Sequence, residues 1–300
     1  MDIVEDFANN VGDTVGGAIE TLVYKINNAL NRNRYKAGIK AFFFWLGGIT
    51  KGVFSLVAAS IKGVFGIVGG IIGGLIKITK GIFTLQESII PGGIWDVFSP
   101  VFGTVIVVLG KFIALVQSVL YAQAFERPLT RLEKSQLKSI FKNSLKYDIV
   151  GIIEGHTGLF GINSRPFVLG NTIYMKTNTF PTDILVHEAV HVWQYQHTGN
   201  RYASDALAAQ WFVRDGYNWE REINVRNKLD WTQFNREAQA QFFQDLWKSG
   251  ELRTSSETTV QTGNGSFFNA DWELKTRHFE VNDTDYTSIA TEAVKRVRNK

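Results

Sequence analysis

The chain has 300 residues, long enough for two domains, with 45% hydrophobic and 20% charged residues and a net charge of +4. It has no cysteine, which excludes disulfides and thiolate metal sites and leaves the redox compartment open. The charge is uneven. Between Glu20 and Glu87 there is no acid, while Lys25, Arg32, Arg34, Lys36, Lys40, Lys51, Lys62, Lys77 and Lys80 fall in that window. A basic block this apolar points to an anionic lipid surface rather than to nucleic acid.

Residues 1–36 form a first segment. Ile3, Val4, Phe7, Val11, Val15, Ala18, Ile19, Leu22 and Val23 recur at helical spacing and predict an amphipathic helix. Asp2, Glu5 and Asp6 stand where a secretory leader carries positive charge, so no such leader is expected here.

Residues 37–125 are apolar and hold fifteen of the 28 glycines. Gly66, Gly70 and Gly74 are spaced by four. In lipid such a row lets helix backbones approach closely. In water each helical glycine costs about 1 kcal/mol against alanine. Charge-free runs at 63–76, 97–110 and 112–125 are only 14 residues long. That is short of the roughly 18–20 residues of an unbroken span. Spans over 52–76 and 97–120 therefore require Lys62 or Lys111 to snorkel, with Pro91-Gly92-Gly93 as the loop between them. A weak repeat, Lys51-Gly-Val-Phe, Lys62-Gly-Val-Phe and Lys80-Gly-Ile-Phe, places three lysines on one face, as in a surface-lying helix.

From residue 126 the composition becomes that of a soluble domain, taken here as 126–250. Thr130 with Glu133 forms a capping box for a helix over 132–145. Tyr147–Ile153 reads as a strand. Phe167–Leu169 and Thr172–Met175 read as a hairpin turning on Gly170-Asn171. Helices follow over 204–215 and 235–248. The extension 251–300 contains Gly263-Asn264-Gly265, a short strand pair and a last helix from Thr287.

One segment of this domain carries a chemistry. Residues 187–191 read His-Glu-Ala-Val-His, preceded by a helix start at Pro181-Thr182-Asp183 and followed by a stop at Thr198-Gly199. On a helix His187 and His191 share a face, presenting two imidazoles to one Zn²⁺. Glu188 lies about 100° round the helix, placed to take a proton from water as a general base.

A catalytic zinc needs a third protein ligand. His197 has the spacing of an extended motif, but that motif needs a glycine at position 194, where this chain has Gln194. On a continuous helix His197 points about 240° away from His191. Glu237, in the first turn of the 235–248 helix, is the favoured candidate. Gln241 and Asp245 share its face and are candidates to orient a ligand. Tyr202, Tyr217, Arg201 and His156 are candidate oxyanion donors.

Across residues 128–248 the chain resembles bacterial zinc-metallopeptidase domains encoded beside Rhs, Vgr and contractile-injection genes. The likeness runs through Pro128-Leu-Thr130, Glu133, Phe141, Tyr147-Asp-Ile-Val150 and Ile173-Tyr174. It continues through His187-Glu-Ala-Val-His-Val-Trp-Gln-Tyr-Gln196, Tyr202, Asn235-Arg-Glu-Ala-Gln239 and Asp245-Leu-Trp247. The resemblance implies a zincin fold with His187, His191 and Glu237 as ligands and Glu188 as base. The glycine-rich half and the tail depart from it.

The expectation is thus an α+β protein: an all-α, membrane-associating region followed by a zincin-like zinc peptidase. Its expected role is that of a toxin or effector delivered by an injection machine. A protein substrate, an anionic membrane and an immunity or machine component are the expected partners. The alternatives are a pore-former with a structural metal domain and a resident membrane-anchored peptidase.

Overall fold

The computed structural model describes residues 37–162, 164–253, 259–269 and 277–300, together with Thr14, Ala18 and Thr21. The amphipathic segment expected over 1–36 lies outside the described residues but for those three. The described chain is α+β, mostly helical with small sheets. It divides into two compact units. Unit one takes Met1–Pro128, Asp148–Asn178 and Gln194–Asp205; unit two takes Leu129–Tyr147, Thr179–Trp193 and Ala206–Lys300. This partition differs from the sequence-based one at residue 126, because part of the presumed soluble domain groups with the glycine-rich helices.

Unit one is built on a helical hairpin, α1 (Ala37–Phe83) and α2 (Ile90–Val119). Both are long and apolar enough to cross a membrane. Pro91-Gly92-Gly93 is not the connecting loop; it is the first turn of α2, where proline's missing N–H costs nothing. The reversal falls instead at residues 84–89. The glycine row does bring backbones together. A Cβ on Gly70 would meet the Asp96 carbonyl oxygen at 2.6 Å, and one on Gly74 the Gly93 carbonyl oxygen at 2.5 Å.

The lysines are not arranged as expected. Lys51 and Lys62 do not share an outward basic face. Lys51 pairs with Glu126, and Lys62 is buried with its ammonium 4.2 Å from the Tyr195 ring centre. Lys111 is buried too, donating to Thr172 Oγ1 at 3.3 Å. Neither Lys62 nor Lys111 snorkels, since unit one itself supplies the polar partners. Asp96 accepts from Lys77 and from Arg201 Nη2 (2.6 Å), and Arg201 also pairs with Asp205. Ser99 Oγ donates to Asp205 at 2.7 Å. The opposite faces carry the bulky apolar side chains, with Val64, Leu75, Phe98, Phe102, Leu109 and Phe112 all exposed.

Beside the hairpin, unit one holds a four-stranded sheet in the order β1-β2-β4-β3. The strands are β1 (Arg127–Pro128), β2 (Gly151–Glu154), β3 (Phe167–Leu169) and β4 (Thr172–Met175). β2 and β4 are parallel; the β3–β4 hairpin forms as expected, with Gly170 at φ 68° making the turn. The strand expected from Tyr147 starts only at Gly151, because Tyr147–Ile149 forms a 3-10 turn.

In unit two, α3 (Arg131–Phe141) carries the expected capping box, Thr130 Oγ1 accepting from Glu133 N while Glu133 accepts from Thr130 N at 2.7 Å. It stops four residues early, at Lys142, whose φ of 51° ends the helical run. Three further helices carry the site. These are α4 (Thr182–Thr198), α5 (Arg201–Phe212), three residues ahead of its expected start, and, beyond the short α6 (Trp219–Asn224), α7 (Arg236–Ser249). α4 crosses into unit one at Gln194, and α5 leaves it after Asp205.

The tail belongs to unit two rather than forming a separate extension. It contributes β5 (Glu251–Arg253), β6 (Thr259–Thr262), α8 (Ser266–Asn269), β7 (Arg277–His278), β8 (Glu280–Val281), β9 (Thr284–Asp285) and α9 (Thr287–Arg298). Its Phe268 stacks on Phe243, and its Phe279 and Tyr286 pack on Trp219. Trp231 joins Trp193 of α4 to Phe243 of α7, so one aromatic core fixes both helices.

Candidate metal centre

The candidate ligands come from α4 and α7, and polar contacts set the register of these helices. Gln244 of α7 donates to Asp183 in the first turn of α4 at 2.9 Å, and Gln136 of α3 donates to Thr182. Asn235 caps α7, accepting from Ala238 N at 3.0 Å, while its amide donates to Glu222 at 2.7 Å. Glu222 is itself fully buried, paired with Arg226 and Lys228. The first turn of α7, which holds Glu237, is thereby anchored from both sides.

His187, His191 and Glu237 come together, all buried, with one ligand atom from each inside 4.8 Å of the others. Glu237 Oε2 lies 3.5 Å from His187 Nε2 and 3.4 Å from His191 Nε2. These separations are long for direct N–H···O bonds, which lie at about 2.7–3.2 Å. Two atoms bound to one tetrahedral zinc at about 2.0–2.1 Å sit about 3.3–3.4 Å apart. The spacing is compatible with a shared cation. Burial pushes the Glu237 carboxyl up, but attraction from His191 and then His187 outweighs it and holds the group well below the usual carboxylate range. Glu188 is buried on α4 one residue after His187.

The other expected residues have diverse places. α4 runs unbroken through Gln194 to Thr198, and His197 is not in the metal-ligating group. Tyr217 stacks on the His187 ring, centres 6.0 Å apart. Gln241 and Asp245 do not bond to Glu237. Gln241 donates to Asp245, whose other oxygen accepts from Trp219 Nε1 at 2.8 Å. Tyr202 commits its hydroxyl to Val168 O (2.8 Å) and Gly170 N (3.1 Å) in unit one, holding the β3–β4 turn. Arg201 is taken by Asp96 and Asp205, and His156 is exposed in unit one. The residue that does reach the third ligand is Gln210, whose Nε2 donates to Glu237 Oε1 at 2.9 Å. No sequence spacing signals it, because α5 and α7 are joined only through tertiary packing.

Comparison with protein-family models, curated proteins and solved structures finds no match. The donor set and its spacing stand as the functional information. Two imidazoles and one carboxylate, with Glu188 next to His187 in sequence, form a group that could hold a metal ion.

Proposed function

We propose that this chain is a zinc-dependent peptidase of zincin type whose apolar hairpin engages a membrane. The observation that carries the reading is the convergence of His187 Nε2, His191 Nε2 and Glu237 Oε2 at cation-sharing distances inside a buried site. His187, His191 and Glu237 hold the metal. Zinc bound there supplies Lewis-acid chemistry, polarising a peptide carbonyl and acidifying water. Glu188 accepts the proton of the attacking water on its carboxylate and returns it to the leaving amine, so that protons balance over the cycle. The aromatic core restrains α4 and α7, which limits how far the ligands drift apart. The exposed apolar side chains of α1 and α2 support membrane contact, since burying one of them gains about 1.5–3 kcal/mol. The resemblance of residues 128–248 to peptidase domains of injection loci supports a role as an effector acting on a protein in a target cell.

The test is made on the full chain. Purified protein is expected to hold close to one zinc and to cleave a labelled unfolded protein. Glu188→Gln should keep the metal and lose activity by about 10²–10⁴-fold, because the base is not a ligand. Zinc-free protein that stays active, or an undiminished Glu188→Gln, rules the reading out. The apolar faces of α1 and α2 favour a second reading, membrane permeabilisation with a structural metal domain. Under that reading, Glu188→Gln still releases dye from vesicles and still arrests a susceptible cell.

A further inference from the structure

We propose that Gln210 is a positioning residue that holds Glu237 as a one-oxygen metal ligand, an assignment that rests on the zinc reading above. Glu237 is buried and has two carboxylate oxygens to satisfy. Oε2 faces both histidines, and Oε1 accepts from the Gln210 amide at 2.9 Å. The amide thus takes one oxygen out of competition and leaves the other for the cation. A carboxylate with both oxygens free can swing to bind through two, raising the coordination number and displacing the position a substrate needs.

The identity of the donor matters. A lysine or arginine here would cancel the charge that Glu237 brings to a dication. A neutral amide orients the carboxylate and leaves its charge intact. Gln210 stands near the end of α5, a helix that brings no metal ligand. Its only assignable contribution at the site is through Glu237, and its residue is exposed, so core packing does not account for it.

The experiment measures zinc affinity of the full-length protein by competition with a chromophoric chelator, and the visible spectrum of its Co²⁺ form. Gln210→Ala is expected to weaken zinc binding about 10–100-fold, the usual effect of removing a group that holds a metal ligand. Its Co²⁺ absorption should drop in intensity as a fifth coordination position fills. Gln210→Glu keeps the shape but offers no amide donor, so it should lose at least as much affinity. A packing role would leave that variant near wild type. If Gln210→Ala does not fold, Gln210→Glu carries the same test. Variants with wild-type zinc affinity and an unchanged Co²⁺ spectrum overturn the assignment while the zinc reading stands. Wild-type protein that binds no zinc overturns both.

Discussion

Asp96 in unit one and Glu237 in unit two are both buried carboxylates, and their surroundings differ in one respect. Asp96 is met by two permanent cations, Lys77 and Arg201. Glu237 is met by two imidazoles and a neutral amide. A buried charge must be compensated or it costs several kcal/mol. The Asp96 cluster closes on itself and is structural. Among the described residues no lysine or arginine meets Glu237, and attraction from the two imidazoles holds its carboxyl low. Equal burial therefore accompanies a closed ion-pair cluster in one unit and a group that could hold a metal ion in the other.

The comparison is broken most directly at the ligands. Glu237→Ala should raise the zinc dissociation constant beyond the about 10–100-fold typical of groups outside the coordination sphere, whereas His197→Ala should change it little. The reverse order, read by chelator competition, would return the third position to His197. In unit one, Asp96→Ala should lower stability by about 1–3 kcal/mol, because Lys77 loses its carboxylate while Arg201 keeps Asp205, read as a shifted urea midpoint, with zinc content unchanged. An Asp96→Ala protein that loses zinc at full occupancy of fold would erase the distinction between the two clusters.

Acid should act on unit two through Glu222. Its carboxyl is buried, which pushes its pKa up, but Lys228, Asn235 and Arg226 together lower it below the ordinary 4.5. The stability it contributes is present above the unfolded-state pKa and is lost as pH falls through the lower folded value. Glu222→Gln should remove that acid-side dependence from a stability–pH curve; an unchanged curve would mean the group is not linked to folding. The smallest effect is expected at the membrane. Because Lys51, Lys62 and Lys111 are engaged inside unit one, vesicle binding should depend only weakly on anionic lipid or salt. Binding that disappears at high salt would restore the outward basic face.

Local signals were legible in the chain. The Thr130–Glu133 capping box, the Gly170 turn and the α4 helix with its two histidines follow from short-range rules, and the structure contains all three. Glu237 was reachable because helix phase argued against His197 and left a first-turn carboxylate. Three features were hidden for a common reason. Gln210 meets Glu237, the Lys62 ammonium turns to Tyr195, and Phe279 packs on Trp219, across 27, 133 and 60 residues of sequence, and no periodicity encodes such pairings. An apolar helix with scattered lysines looks the same whether the lysines face water or protein; only the partners distinguish them.

The interleaving of the two units has a practical side. The chain passes from one to the other after Pro128, Tyr147, Asn178, Trp193 and Asp205. No single cut frees either unit. Fragments such as 1–125 or 126–250 each discard part of the structure they aim to isolate. α4 and α5 each run through both units, so a fragment that carries the metal-ligating group takes part of unit one with it. Separating the proposed metal chemistry from the proposed membrane contact of the apolar helices is a task for point substitutions in the intact protein.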